Sequence, residues 1–548
     1  MTKRLLSVLL ACLLLMMGSS ALAEYQVPDF GAFEEPVTIL RTGYVSDQVR
    51  QNTLRDEYTY ESNPWIDAYK KYLNVDVKYL FLTSSSEEFN TKTSLALASG
   101  DIPDYMTVDL NQLKQLVEAD VIYGDVRELY DQYAGDTLKH YMSALGDTPW
   151  DISTIDGVCY GIPQNGGNDY DTMDFMWIRS DWLKNLGMEI PTNYEELVEV
   201  IKAFTFKDPD GNGQNDTYGL ALSNELANDT LQYEGIFEMF GAYMNSWVEQ
   251  DGKLVFSTVT ENTKNALKFL SDLYKEGCID PEFGVKNVEA VAQDIAANKI
   301  GVVAACNWAP LSTTLNSAIQ ANENANFICV PISRLSAIGE EVAKSACEPT
   351  ANQFYVISKS CEHPEAIVKM ISLFAELYTN DYATYGITDD GREMWHLAGM
   401  SSLPYKTKNN DNMVYGGKYL RGEVTAEEIS AEQLKMAENV KKYQDGDRTM
   451  WSYYAIFADD GENNSSEFHI SDGVADPAKY YYDNAYTGET TQGMVDYKSM
   501  LDGIRDEAFI KIIIGDQPIE YFDTFVNDWM AAGGQTITDE VNAWYTAK

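Results

Sequence analysis

The sequence predicts an α/β protein of two or more domains, and three observations carry that prediction. Roughly 525 residues remain once an amino-terminal leader is set aside, more than one hydrophobic core ordinarily holds. Short apolar strands alternate with amphipathic helices, the order that builds parallel sheets with helical crossovers. The helical patterns stop at glycine, as at Gly100 and Gly187, where the chain can turn left-handed.

Pro36-Val37-Thr38-Ile39-Leu40 reads as the first strand and Pro64 to Tyr72 as a helix. Val75 to Leu80 alternates at period two, and a helix follows from about Glu87 to Ala98. Tyr105-Met106-Thr107-Val108 is the next strand, and Asp156-Gly157 makes a hairpin turn before Tyr160-Gly161-Ile162-Pro163. Phe175-Met176-Trp177-Ile178 leads into a helix at Asp181 to Leu186. Thr192 and Glu195 then form the capping box of another helix.

Met1 to Ala23 carries Lys3 and Arg4, an apolar run from Leu5 to Met17, and the small-residue stretch ending Ala21-Leu22-Ala23. That is a secretory signal peptide, with cleavage before Glu24. The apolar run is shorter than the ~20 residues that span a bilayer. Leu9-Leu10-Ala11-Cys12 resembles a lipoprotein box, but cutting there would leave the apolar Leu13 to Met17 as the mature terminus, which disfavours a lipid anchor on Cys12. The protein is therefore expected outside the cytoplasmic membrane, secreted or associated with the cell surface.

Two of the 40 basic residues leave with the leader, so 38 face 85 acidic ones, a formal charge of −47. Such a surface repels phosphate and excludes nucleic acid as a partner, while it suits a soluble exported monomer. Cys159, Cys278, Cys306, Cys329, Cys347 and Cys361 show no close pairing, so buried free thiols are expected in place of a disulfide framework. With 36 Tyr and 10 Trp the chain has aromatics enough for its cores and for a ligand-binding surface.

Asp208-Pro209-Asp210-Gly211-Asn212-Gly213-Gln214-Asn215-Asp216 is the sharpest chemical motif. Asp208, Asp210, Asn212 and Asp216 place oxygen ligands at loop positions one, three, five and nine, Gln214 offers a backbone carbonyl at seven, and a glycine stands at six. The pattern predicts a structural Ca2+ loop of EF-hand type. Position twelve is Gly219 where an EF-hand has a bidentate Glu. The other reading is an Asx-rich surface turn without metal.

Signatures of catalysis are missing. His140, His363, His396 and His469 are scattered, and the chain has no HExxH, no GxSxG elbow and no phosphate loop. Acidic residues are too numerous for any pair to be singled out as a glycosidase dyad. No enzymatic activity is expected.

Several segments together resemble the extracellular solute-binding proteins of carbohydrate-type ABC importers, in particular the large calcium-loop subgroup that includes alginate-oligosaccharide binders. They are Leu97 to Asp104, Asp156 to Pro163, Trp177-Ile178-Arg179-Ser180-Asp181-Trp182-Leu183, the Asp208 to Asp216 loop, Tyr274 to Phe283, Phe522 to Phe525 and Glu540 to Trp544, in order along nearly the whole chain. The resemblance implies a periplasmic-binding-protein fold, two α/β lobes joined by hinge crossings with the ligand cleft between them. One lobe would hold 36–163 and 346–402, the other 168–339 and 404–548, with crossings near 164–167, 340–344 and 403. Gly166-Gly167 suits a hinge.

In sugar-binding members of that family the aromatic after the strand Ile300 to Ala305 faces the cleft, which points to Trp308. Tyr44 after the first strand, Gln164 and Asn165 beside the first crossing, Tyr233, and Trp451 in an aromatic cluster are further ligand candidates. Arg179 is read as bracing its own strand. The resemblance implies capture of a carbohydrate, an oligosaccharide before a monosaccharide, and delivery to ABC permease subunits. Two other functions stay open: a binding partner of a membrane sensor, and a secreted carbohydrate-active enzyme.

Overall fold

The computed structural model describes residues 25–547 apart from short segments at 46–48, 51–52, 55–57, 85, 165–172, 227–229, 340, 348–350, 389–390, 402–406, 460–464 and 489. The leader with Cys12, Asn165, Gly166-Gly167, residue 340 and Leu403 thus lie outside the described residues. No described helix is long and apolar enough to cross a membrane.

In the first lobe β1 (Val37–Tyr44) runs parallel to β2 (Val75–Thr83). The helix Pro64–Leu73 connects them, opening where Asn63 Oδ1 accepts the N–H groups of Trp65 and Ile66 and closing at Asn74 in the left-handed conformation. β3 (Tyr105–Val108) lies beside β1, and the Leu40 N–H donates to Asp104 Oδ2 at 2.6 Å. The hairpin of β4 (Thr154–Ile155) and β5 (Val158–Cys159) turns at Asp156 and Gly157, with φ of 51° and 82°, the paired left-handed residues of a two-residue loop. β6 (Ile162–Pro163) follows.

The second lobe is built on β7 (Asp174–Arg179), β8 (Tyr218–Leu220), the hairpin β9 (Trp247–Gln250) and β10 (Lys253–Phe256), β11 (Ile300–Cys306) and β12 (Phe327–Pro331). β13 (Ser345–Cys347) crosses back, β14 (Phe354–Ile357) re-enters the first lobe, and β15 (Tyr481–Asp483) pairs parallel with β13.

The sheets are mixed, which corrects the parallel reading. Their strand orders are β3-β14-β6 and β12-β7-β11-β8, and the strand that enters each lobe from a crossing, β14 or β7, runs antiparallel to both its neighbours. A chain arriving from the other lobe starts at the interlobe edge, so it must run against strands that end there. Period and composition register a strand but not its direction.

Both faces of the second sheet are covered. Met176, Ile178, Val302 and Ala304 pack with Trp182, Phe204, Phe237 and Phe509, while Phe175, Trp177, Val303 and Ala305 pack with Leu315 and Trp451. Each large side chain enclosed this way contributes ~1.5–3 kcal/mol of transfer free energy. In the first lobe Ile39, Tyr105 and Ile357 meet Trp65, Tyr69 and Phe374 on one face, and Met106, Val108 and Phe354 meet Leu113 and Leu116 on the other. A bundle comprising the helices Lys408–Leu420, Ala431–Gln444 and Trp451–Phe457 touches the first-lobe helix Pro364–Asn380 and β12, linking the two lobes from the side.

The capping box shifts by one residue. The helix Tyr194–Phe206 is capped by Asn193, which accepts from the Glu196 N–H, and Glu196 reaches back to the Thr192 N–H and hydroxyl. Arg179 braces its strand as expected, with a side chain 1% exposed and two bonds to Asp181 at 2.8 and 2.6 Å.

The six described cysteines are buried and free. Burial pushes the Cys361 thiol up to about 12 and raises those of Cys278 and Cys329 as well. Native protein should therefore melt at the same temperature with and without reductant, and its thiols should react with a chromogenic disulfide reagent only after unfolding; reaction of a native thiol within minutes, or a melt lowered by reductant, contradicts the assignment.

Candidate functional site

The lobes meet where three chain segments pass between them. At the β7 start the Asp174 N–H donates to Ser345 Oγ at 3.0 Å, and the next residue along β13, Ala346, donates its N–H to Glu238 Oε1 at 2.6 Å. Glu238 ends the helix Glu234–Glu238 and is 1% exposed. Burial first, then the neighbouring Asp174 charge, raises its carboxyl well above the usual range, which favours its protonated form.

The third passage is fastened from the first lobe. The Tyr69 hydroxyl donates to Ala398 O, that of Tyr105 to Gly399 O, and that of Tyr355 to Ser401 O. Arg41 lies against Gly399 with its guanidinium 5.3 Å from the Tyr79 ring and 6.0 Å from that of Tyr105. Gln164, read as a ligand residue, joins this fastening. Its N–H donates to Gln353 O and its Nε2 to Ser401 Oγ at 2.5 Å, while its Oε1 is buried without a partner.

The other candidates separate by exposure. Cys306 pairs with Asp174, so Trp308, two residues on, stands at the interlobe edge, and it is 37% exposed. Tyr44 ends β1 half-buried, its ring 6.0 Å from Phe89 and its carbonyl accepting the Tyr60 hydroxyl. Tyr233 and Trp451 are each 1% exposed. The Tyr233 hydroxyl donates to Ser223 O and the Trp451 indole to Asn326 Oδ1. A ring enclosed on every side cannot stack on a ligand, so the ligand role read for these two is withdrawn.

Between the lobes lies a cavity of about 430 Å³. Its first-lobe wall comes from the β3 end and the hairpin region, through Asp109, Asn111, Asp151 and Thr154; its second-lobe wall comes from Asn245, Trp247, Asn484 and Tyr486. The sequence reading missed this group. Asn245 and Asn484 belong to irregular segments with no periodic pattern, and only the β13–β15 pairing carries residue 484 to the crossing.

The Asp208 loop converges on itself. Gly213 N–H donates to Asp208 Oδ2, Gln214 N–H to Asn212 Oδ1, and Asn212 Nδ2 to both Asp210 Oδ2 and Asp216 Oδ1. Asp208 Oδ1 is buried with no hydrogen-bond partner, and burial together with the Asp208 and Asp216 charges raises the Asp210 carboxyl. Oxygens crowded this way fit a hard cation, although no group of three or more His, Cys, Asp or Glu side chains is drawn together as a metal cluster among the described residues. The departure from the EF-hand pattern has a structural cause. A Cβ at Gly219 would lie 2.1 Å from Ile201 O, and Thr217 is buried with its hydroxyl donating to Phe204 O.

No family model matches the chain. It is 25% identical over 504 residues to Lipoprotein LipO of Bacillus subtilis strain 168, covering 90% of each chain. Among solved structures it is similar to the ABC-transporter substrate-binding protein FusA of S. pneumoniae in complex with kestose, with a TM-score of 0.60 at 18% identity over 93% of this chain and 99% of that one. The alginate-binding protein AlgQ2, solved without calcium ion, gives 0.61 at 16% identity over 94% and 99%.

The acid pair at the crossing makes stability depend on pH. Because the native Glu238 keeps its proton above the ordinary carboxyl range, folding binds a proton there, and stability falls as pH rises through that window toward the raised value. Glu238→Gln keeps an acceptor for the Ala346 N–H and should flatten this decline above the ordinary carboxylate range; thermal melts from acid to neutral pH check it, and a slope identical to the parent's refutes it.

Proposed function

We propose that this chain, which has the two-lobed fold of the ABC-transporter solute-binding proteins, is a carbohydrate-type member that captures an oligosaccharide between its lobes and presents it to importer permease subunits. The observation that carries the reading is the interlobe edge itself, where an open indole at Trp308 and a polar-walled cavity occur in a chain similar over nine-tenths of its length to a substrate-binding protein solved with kestose and to an alginate-binding protein. Sugar rings present an apolar C–H face and a hydroxyl rim, and a cleft recognises them by pairing aromatic faces with amides and carboxylates. Binding that engages both walls closes the lobes on the ligand.

The lobe division proposed is 36–163 with 346–402 and 168–339 with 404–548, moving about crossings near 164–167, 340–344 and 403. A monomer placed outside the cytoplasmic membrane fits the role, free or held by a lipid on Cys12, the second form having a precedent in a relative that is itself called a lipoprotein. Trp308, Tyr44, Gln164 and Asn165 remain the proposed ligand residues.

Calcium is proposed as a structural ion held by Asp208, Asp210, Asn212, the Gln214 carbonyl and Asp216. Bound there, it would supply positive charge to carboxylates that otherwise repel each other. Asn298 connects the loop to the sheet, donating to Asp210 Oδ2 while accepting from Arg179 Nη1.

Two measurements test these readings. In calorimetry over a glycan panel, Trp308→Ala should lose ~1–3 kcal/mol of binding with little change in melting temperature, as for an exposed anchor, and ligand should compact the parent protein in small-angle scattering; no glycan binding, or binding without compaction, overturns the receptor reading. Adding a chelator should lower the melting temperature and calcium should restore it, with Asp208→Ala abolishing the response. An unchanged melt removes calcium from the account.

A further inference from the structure

The interlobe cavity has an asymmetry of charge and hydrogen-bonding capacity that bears on which glycans it takes, an inference that rests on the receptor reading above. On the second-lobe wall the carbonyl ends of two amides are already committed. Asn245 Oδ1 accepts from Arg505 Nη1 at 2.9 Å, and Asn484 Oδ1 accepts from the N–H groups of Trp247 at 2.9 Å and Tyr486 at 3.1 Å. Both Nδ2 groups make no hydrogen bond among the described residues, so this wall presents donors. The first-lobe wall adds carboxylate acceptors beside the Asn111 amide. Asp109 uses Oδ1 to cap the helix Leu110–Glu118, accepting from the Gln112 N–H at 2.8 Å, and Asp151 is exposed.

The cation on the described lining is taken. Lys498 is 2.7 Å from Asp502, which Arg505 also approaches at 3.2 Å. A ligand carboxylate would therefore meet Asp109 and Asp151 on one side and displace an existing ion pair on the other. A hydroxyl suits both walls, since it donates to a carboxylate and accepts from an amide N–H. Of the aromatic floor, Trp247 is buried and only the half-buried Phe256, its ring 5.2 Å from that of Trp247, is open to a pyranose or furanose face.

We infer that the cavity lined by Asp109, Asp151, Asn245 and Asn484 is a subsite for uncharged glycan units, bridged hydroxyl by hydroxyl from first-lobe carboxylates to second-lobe amides, and that it discriminates against uronates. The chain is similar both to a kestose complex and to an alginate binder, so the charge of the preferred sugar is a property the fold leaves open.

The test is calorimetry on the full mature chain with neutral fructo-, xylo- and N-acetylated oligosaccharides beside oligogalacturonates and oligoalginates of matched length. The best neutral ligand should bind at least about tenfold tighter than any uronate, as like charges facing each other disfavour the wrong partner. Asn245→Ala and Asn484→Ala should each weaken it about tenfold. Asp151→Asn, an exposed change that leaves folding intact, should narrow the gap by improving uronate binding. A uronate that binds tightest and loses affinity on Lys498→Ala overturns the inference and leaves the receptor reading standing. Failure of every glycan, neutral and acidic, overturns the receptor reading and this inference with it.

Discussion

Everything in this molecule hangs on two strands that enter their sheets backwards. β7 and β14 each arrive straight from a crossing and lie between two neighbours of opposite direction, hydrogen-bonded on both sides. The crossing segments are thereby rooted in the most buried part of each lobe. An interior strand of each of these sheets is thus the one that continues from a crossing. The Asp174–Ser345 and Ala346–Glu238 bonds tie two of the passages to one another at that root, and the tyrosines at 69, 105 and 355 tie the third.

The same rooting organises the interlobe edge. Strands of both lobes end there: Asp109, just beyond β3, lines the cavity, and Trp308 stands exposed two residues beyond β11. The C-terminal segment adds what neither sheet supplies. β15 runs along β13, and the chain beyond it brings Asn484 and Tyr486 to the cavity wall.

The acidic loop shows how local sequence and packing divide the work. Its turn is set by residues that bond to each other within nine positions, a local matter. Its exit is set by the core. Gly219 passes too close to the Ile201 carbonyl for any side chain, and Thr217 turns inward to Phe204 O, so packing against the helix Tyr194–Phe206 overrides the twelfth-position Glu that a free-standing EF-hand loop would carry. The Arg179–Asn298–Asp210 chain then joins the loop to β7.

The sequence by itself determined the α/β class, the order of strands and helices, the Asp156-Gly157 turn, the free buried thiols and the bracing role of Arg179, because each follows from periodicity, turn chemistry or charge within a short window. It also placed Trp308 at a strand exit, where the structure leaves the ring open. Strand direction escaped it, since β7 reads the same forwards and backwards to any pattern of burial. So did the fate of individual aromatics: Tyr233 and Trp451 are aromatic like Trp308, yet 1% exposure against 37% separates them, and exposure is a sum over neighbours distant in the chain. The cavity amides were beyond reach for the same reason. Asn245 and Asn484 acquire outward-facing donors only because Arg505, Trp247 and Tyr486 occupy their carbonyl oxygens, and that arrangement exists only once the chain has folded.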